Sequence, residues 1–184
     1  AVVRPGDGLV VLALVALAVA MAATGIDARG IWESDEGRYT AVPVEMLRSG
    51  DLLTPRLNLD QPHLTKPPLT YWSVAASFAA FGPSELAARL PNLIAFVLTV
   101  LVVLRLGRRL VPEKPWLPAL VYATLPVTVL GANVVTTDTL LTLFEALAVL
   151  CFLERRHAWM WLAFGLGFLT KGPPALLPLL AIVT

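Results

Sequence analysis

The stretch LVVLALVALAVAMAATGI, residues 9–26, carries no charged side chain over 18 consecutive positions. An α-helix of this length covers about 27 Å, close to the thickness of the hydrocarbon core of a bilayer. A cleaved signal peptide usually has an apolar core of only about 7–15 residues. We therefore interpret the stretch as a retained first transmembrane helix.

The composition of the whole chain agrees with a membrane protein. Of its 184 residues 57% are hydrophobic, and the mean hydropathy is +0.75. Such apolar content is typical of membrane proteins rather than of soluble domains of this size. The net charge of +1 gives no indication of nucleic-acid binding. The single cysteine, Cys151, excludes a disulfide within the chain.

Charged residues and Pro-Gly breakers divide the rest of the sequence into further apolar spans. We predict an all-α fold, a multi-pass transmembrane helix bundle forming one domain over residues 1–184, with a polar loop at 27–84. The predicted spans lie near residues 9–26, 89–107, 115–137, 139–153 and 159–170. The chain ends inside the apolar run LLPLLAIVT, which favours an N-terminal fragment of a longer protein.

The basic residues predict the orientation of these spans, because short loops rich in Lys and Arg remain cytoplasmic. Placing Arg4 inside puts the loop at 27–84 on the outer side of the membrane and returns the basic clusters at 105–114 and 155–156 to the cytoplasm. A full span at 67–84 would reverse that pattern. We therefore predict that Leu69–Phe81 is an interfacial, juxtamembrane helix.

The same loop contains a second predicted helix. Tyr39, Val42 and Met46 recur at helical spacing and indicate an amphipathic surface helix. Pro43 lacks a backbone donor and should kink this helix.

Several polar residues of the loop could have a structural or a functional role. Ser34 or Asp35 could cap the second helix, so a purely structural role for Asp35 stays open. Lys66, held by the two prolines that follow it, could anchor lipid headgroups or bind a specific phosphate. His63 is a lone histidine, which is no metal signature.

The orientation also predicts a polar outer face built from later helices. Asp138 and Lys171 reach this face from different spans. Glu145 lies about two turns from Asp138 on the same helix, so both side chains point to one side. That side is interpreted as a polar cavity or a helix contact.

Six segments occur together in a recognisable order: DEGRY (35–39), EMLRSGDLLTPRLN (45–58), KPPLTYW (66–72), FGPSELAARLPN (81–92), TTDTLL (136–141) and TKGPPALL (170–177). With them the sequence resembles the C-type integral-membrane glycosyltransferases of the dolichyl-phosphate-mannose protein mannosyltransferase-like superfamily. Within it, the bacterial 4-amino-4-deoxy-L-arabinose lipid A transferases are the most similar branch. The resemblance covers about residues 9–184 and is most specific where DEGRY and KPPLTYW occur together.

The resemblance implies an enzyme of the bacterial inner membrane with its active site facing the periplasm. It would move a sugar from a polyprenyl-phosphate donor to a lipid, such as lipid A, or to a protein. Its expected partners are this donor, this acceptor and membrane lipids, with no nucleic acid. The site residues carried over are catalytic Asp35 and Asp138 and substrate-binding Lys66, Arg38, Lys171, Glu36 and Tyr39.

One departure from the family pattern concerns metal binding. The residue before the lysine is often glutamate in the lipid A transferases, where it is implicated in metal binding, and here it is Thr65. The sequence therefore implies no definite cofactor and leaves both a divalent metal and the L-arabinose specificity open.

Two other functional classes stay open at this point. A transporter of polyprenyl-linked sugars would favour broken helices with charges near the bilayer midplane. Most charges here lie away from the bilayer midplane, with Glu145 as the exception. A non-catalytic membrane scaffold would explain the charges of the loop by solvation alone.

Overall fold

A computed structural model of the chain describes residues 7–32, 35–58 and 61–183. Arg4, used for the predicted orientation, and Ser34, one of the two predicted caps, lie outside the described residues. The helices are α1 (Asp7–Ala23), α2 (Asp35–Ser49), α3 (Leu69–Phe81), α4 (Glu85–Leu110), α5 (Leu117–Thr124), α6 (Pro126–Ala132), α7 (Asp138–Leu153), α8 (His157–Lys171) and α9 (Leu177–Val183). The predicted helical class is confirmed.

The segment predicted as the polar loop folds into α2, a small strand pair and α3. Strands β1 (Arg56–Asn58) and β2 (Gln61–Pro62) are antiparallel, with Arg56 opposite Pro62. These two strands depart from the all-helical prediction. The predicted bounds of α3 agree with the structure.

The predicted apolar face of α2 is buried against α3. Tyr39, Val42 and Met46 are each at most 5% exposed and pack with Tyr71 and Val74 of α3. Helix α2 continues through Pro43 as one element. This packing fixes the helix that carries the DEGRY motif against the helix that follows the two prolines.

Helix α4 runs through the centre of the fold and contacts α1, α3, α5, α6 and α7. It begins at Glu85 rather than near Arg89, because the Ser84 side chain accepts a hydrogen bond from the backbone N–H of Ala87 and caps the N-terminus. Small residues such as Ala18 and Ala119 let neighbouring helices approach Phe96 closely. Within the described ranges, α4 alone has both the length and the apolar composition to cross a membrane.

The predicted span at 115–137 forms two short helices, α5 and α6, instead of one. Pro126 has no backbone N–H to donate to the carbonyl of Tyr122, so the α-helix cannot continue through it. The hydroxyl of Thr128 donates to that carbonyl at 2.5 Å and satisfies it. After α6, a non-helical segment at 133–137 leads to α7.

Helices α7 and α8 lie close to their predicted positions and pack against each other. Ala148 of α7 and Met160, Ala163 and Phe164 of α8 form a buried cluster. This pairing brings the C-terminal end of α8 beside the N-terminal end of α7. A 3₁₀ turn, Pro173–Leu176, follows and leads to α9.

Candidate functional site

The first acid of the site lies at the start of α2. Asp35 opens the first turn, where a negative charge interacts favourably with the helix dipole. Its carboxylate is 62% exposed and forms an ion pair with Arg38, one turn later on the same helix. The cap-like position predicted for Asp35 is therefore compatible with an accessible carboxylate.

The second acid lies at the start of α7 and also has a cationic partner. Asp138 is 61% exposed, and its carboxylate accepts a hydrogen bond from the Lys171 ammonium. Lys171 is the last residue of α8. The antiparallel pairing of α7 and α8 thus brings together two residues that are 33 positions apart.

Tyr39 lies near both acids. Its side chain is buried, and Thr137, the residue before Asp138, as well as the charges of Asp35, Arg38 and Asp138 all act on its phenol. Burial, which is the largest cause, raises the pKa of Tyr39 above its ordinary value. The phenol therefore stays neutral near pH 7 and can donate or accept a hydrogen bond.

An aromatic wall connects Tyr39 with the region before α3. The Tyr39 and Tyr71 rings lie 5.7 Å apart between centroids, and the His63 ring meets Tyr71 edge-on at 6.4 Å. Lys66 follows three residues after His63 and is half-buried. The structure therefore brings the segment that carries Lys66 to the side of the fold where Asp35 and Asp138 lie.

Lys66 differs from the other two cations of the site. Arg38 and Lys171 each pair with a carboxylate, whereas no carboxylate of the described residues lies within 4.0 Å of the Lys66 ammonium. A cation that is partly withdrawn from water and has no anionic partner has a strong tendency to bind one. Lys66 is thus available for an anionic ligand.

Glu36 lies inside the protein, although it neighbours Asp35. Its side chain is 1% exposed and pairs with Arg29 and Arg89. Burial raises the pKa of Glu36, but hydrogen bonds from Arg29, Arg89 and the backbone of Trp32 and Val135 outweigh it and lower the pKa to about 2. Substrate binding by Glu36 stays a prediction from the resemblance; the contacts seen here connect elements of the fold.

The described residues do not fit a metal site. No group of three or more His, Cys, Asp or Glu side chains within 7–32, 35–58 and 61–183 could hold an ion. The Thr65 hydroxyl, at the position where a carboxylate would be needed, is hydrogen-bonded to His63 Nε2 at 2.8 Å. A neutral hydroxyl engaged in this way is a poor ligand for a divalent cation.

Sequence reasoning missed the arginine that holds these elements together. Arg89 lies in the segment FGPSELAARLPN, where the sequence indicates only the approximate start of a span. In the structure it is 0% exposed and hydrogen-bonded through its whole guanidinium. A lone charge at the edge of an apolar run was the available signal, since such charges need partners.

Comparison with known proteins identifies the family. Residues 65–184 match the family model described as dolichyl-phosphate-mannose-protein mannosyltransferase. The chain belongs to this family. The resemblance inferred from the motifs is thereby confirmed.

Individual members of the mannosyltransferase family match most of the chain. The undecaprenyl phosphate-alpha-4-amino-4-deoxy-L-arabinose arabinosyl transferase of Pseudomonas savastanoi is 29% identical over 92% of this chain and 33% of its own length. The apo crystal structure of ArnT from Cupriavidus metallidurans matches with a TM-score of 0.84 and 28% identity over 94% of this chain and 35% of that one. The same protein bound to undecaprenyl phosphate matches with a TM-score of 0.79 and 29% identity over 97% of this chain and 35% of that one. The chain therefore has the fold of the matched third of ArnT and spans about a third of the length of the curated relatives it matches.

Proposed function

We propose that the protein carrying this chain is a membrane glycosyltransferase that moves a sugar from a polyprenyl-phosphate donor to a lipid or protein acceptor. The proposal is supported by two accessible acids, Asp35 and Asp138, that both act on Tyr39, and by Lys66, a half-buried cation for which the described residues supply no carboxylate partner. These residues lie in a fold shared with ArnT, which has been crystallised with undecaprenyl phosphate.

Lys66 is the proposed ligand of the donor phosphate. The leaving group of the reaction is a polyprenyl phosphate, which departs with additional negative charge. A partly dehydrated ammonium stabilises such charge more strongly than a fully solvated one does. Arg38 and Lys171 would add to this field when the substrate competes for them with Asp35 and Asp138.

Asp35 and Asp138 are the proposed catalytic acids. The acceptor oxygen forms a bond to the anomeric carbon while the bond from that carbon to the phosphate oxygen breaks, and the electron pair leaves with the phosphate. Asp35 takes the proton of an alcohol acceptor, or orients an acceptor that is itself a phosphate. Asp138 orients Lys171 and, with Tyr39, the sugar.

The lipid tail of the donor has a suitable surface beside α3. A groove of about 360 Å³ lies between α3, α4 and α7. Its lining is predominantly apolar: Ser73, Ala76, Ser77, Phe81, Leu90, Pro91, Ile94 and Leu140. Because Lys66 lies just before α3, a donor whose phosphate binds Lys66 would have to extend its lipid tail along α3 to reach this groove.

The membrane arrangement belongs to the same proposal. The helix bundle lies in the bacterial inner membrane, with α4 crossing it, and α2, the strand pair and α3 lie at the periplasmic surface. Support comes from the basic residues at the opposite end of α4, where Arg105, Arg108 and Arg109 cluster as expected of a cytoplasmic boundary.

The test is a transferase assay in membranes with the complete protein and an undecaprenyl-phosphate-linked aminoarabinose donor. We expect Asp35→Asn and Lys66→Ala each to lower kcat/KM by about 100-fold or more, since each removes a charge used in the transition state. Asp27→Asn, in the same loop, and Lys114→Ala, at the far end of α4, are the matched controls and should retain activity. Turnover near that of the unmodified protein in both site variants would refute the assignment.

A further inference from the structure

Arg89 and Glu36 form an ion pair that is almost wholly removed from water. The Arg89 side chain is 0% exposed and that of Glu36 is 1% exposed. Burying two charges carries a desolvation penalty of several kcal/mol per ion, so such a pair is weak evidence for stability by itself. Its position relative to the proposed catalytic acids suggests a further role.

The guanidinium of Arg89 holds the chain that enters α2. Its nitrogens donate to the backbone carbonyls of Ile26, Arg29 and Gly30 and to both oxygens of Glu36. These five hydrogen bonds use every N–H that an arginine side chain offers. The segment after α1 is therefore fastened to α4 at a single point.

The carboxylate of Glu36 connects this point to the segment before α7. It accepts from the backbone N–H of Trp32 at 2.9 Å and from the backbone N–H of Val135 at 2.9 Å. Glu36 is the neighbour of Asp35, and Val135 lies three residues before Asp138. One side chain thus connects the backbones that carry the two acids.

Two more side chains hold the non-helical segment at 133–137. Asn92, almost one turn after Arg89 on α4, donates to the carbonyl of Val134 at 2.6 Å and to that of Thr136 at 3.3 Å. Arg29 donates to the carbonyl of Asn133 at 2.6 Å. Buried backbone groups outside regular structure need such partners, and here α4 and the segment between α1 and α2 supply them.

We propose that Arg89 and Glu36 are positioning residues for the transfer reaction, setting the backbone of Asp35 against the backbone of Asp138 so that both acids face one substrate. The catalytic consequence rests on the proposed function, whereas the structural coupling does not. Displacement of a reacting group by about 1 Å can lower a rate by about 100-fold. A lysine at position 89 would keep the charge but lose the planar fork of donors.

The experiment compares Arg89→Lys and Glu36→Gln in the complete protein, purified in detergent. Hydrogen exchange at the amides of Trp32 and Val135 should be at least about 10-fold faster in Glu36→Gln, because the charged acceptor is lost. The kcat per folded molecule should fall about 10- to 100-fold in both variants, while KM for the donor changes less than about 3-fold.

Arg105→Lys is the matched control, because Arg105 also lies on α4 and also pairs with a glutamate, Glu154. It should leave kcat and both exchange rates unchanged. Unchanged exchange at Val135 in Glu36→Gln would overturn the coupling, whether or not the protein transfers a sugar. In an active protein, kcat equal to that of the unmodified protein in both variants would overturn the catalytic role. Absence of transfer by the unmodified protein would instead refute the proposed function and, with it, the catalytic role, while the exchange result still decides the coupling.

Discussion

At each end of α4 an arginine pairs with a glutamate, but the two arginines differ in their exposure to water. At the N-terminal end, Arg89 is 0% exposed and pairs with Glu36, which is 1% exposed. Near the C-terminal end, Arg105 is 53% exposed and pairs with the 6% exposed side chain of Glu154, at the end of α7. Both pairs connect residues about fifty positions apart in sequence.

The difference between the ends lies in what each pair holds in place. The buried pair binds backbone groups of two separate segments, one between α1 and α2 and one before α7, so its charges determine the path of the chain. The contacts between Arg105 and Glu154 involve side chains alone, and the side chains of Arg109 and Arg156 approach the same Glu154 carboxylate. Water reaches the half-exposed guanidinium of Arg105 and screens its charge, and pairs screened in this way contribute little to stability.

The largest expected effect is the difference in stability lost when Arg89 or Arg105 is replaced by alanine. Arg89→Ala leaves Glu36 buried with one guanidinium instead of two and should lower the free energy of unfolding by about 3–5 kcal/mol. Arg105→Ala removes a half-exposed partner and should lower it by less than about 1 kcal/mol. Equilibrium unfolding of the complete protein in detergent measures both values. Equal losses at the two ends would contradict the distinction between them.

The pH dependence of stability should sharpen the same comparison. The folded pKa of Glu36, about 2, lies below the ordinary value of 4.5, so its contribution is complete above pH 4.5 and is lost as the pH falls from about 4.5 through about 2. The loss amounts to about 3 kcal/mol. Between pH 6 and pH 3, the melting temperature should therefore fall less steeply with decreasing pH in Glu36→Gln than in the unmodified protein.

Glu154→Gln is the control for that titration. Hydrogen bonding from Arg105 lowers the pKa of Glu154 as well, but this carboxylate is held by half-exposed arginines. Glu154→Gln should reduce the pH dependence of the melting temperature less than Glu36→Gln does. If the melting temperature of Glu36→Gln changed with pH as steeply as that of the unmodified protein, Glu36 would not stabilise the fold through its charge.

The smallest expected effect concerns how the C-terminal end of α4 is held. A methyl group at Gly107 would overlap the carbonyl oxygen of Pro115 and lie 3.2 Å from its carbonyl carbon. Gly107→Ala should therefore lower the free energy of unfolding by about 1–3 kcal/mol. Gly165→Ala, at a helical position with open space around it, should instead be neutral or stabilise by up to about 1 kcal/mol. Equal effects in the same unfolding experiment would remove close backbone packing as the explanation.

Local patterns were sufficient to predict several elements. The breakers around Leu69–Phe81 mark both ends of α3, and the spacing of Tyr39, Val42 and Met46 identifies the buried face of α2. The predicted span at 115–137 was harder, because absence of charge does not reveal where a helix breaks. Pro126 was visible in the sequence, but the compensating hydrogen bond from Thr128 depends on the folded geometry.

The proposed site was predictable only in part. The acids and cations of the motifs could be identified, because accessible charges beside apolar spans are expected to have a function. The pairing of Asp138 with Lys171 depends on how α7 packs against α8, and sequence spacing does not reveal it. The resemblance predicts substrate binding for Glu36. Its burial and its ion pair with Arg89 are visible only in the folded structure.

The sequence by itself determined the apolar helices, the family and the residues able to carry charge, because these depend on residue type and on spacing within one element. Only the tertiary structure decided which charges are buried together and which remain accessible. The reason is physical: the strength of an ion pair depends on how much water the surrounding helices exclude, and those helices come from distant parts of the chain.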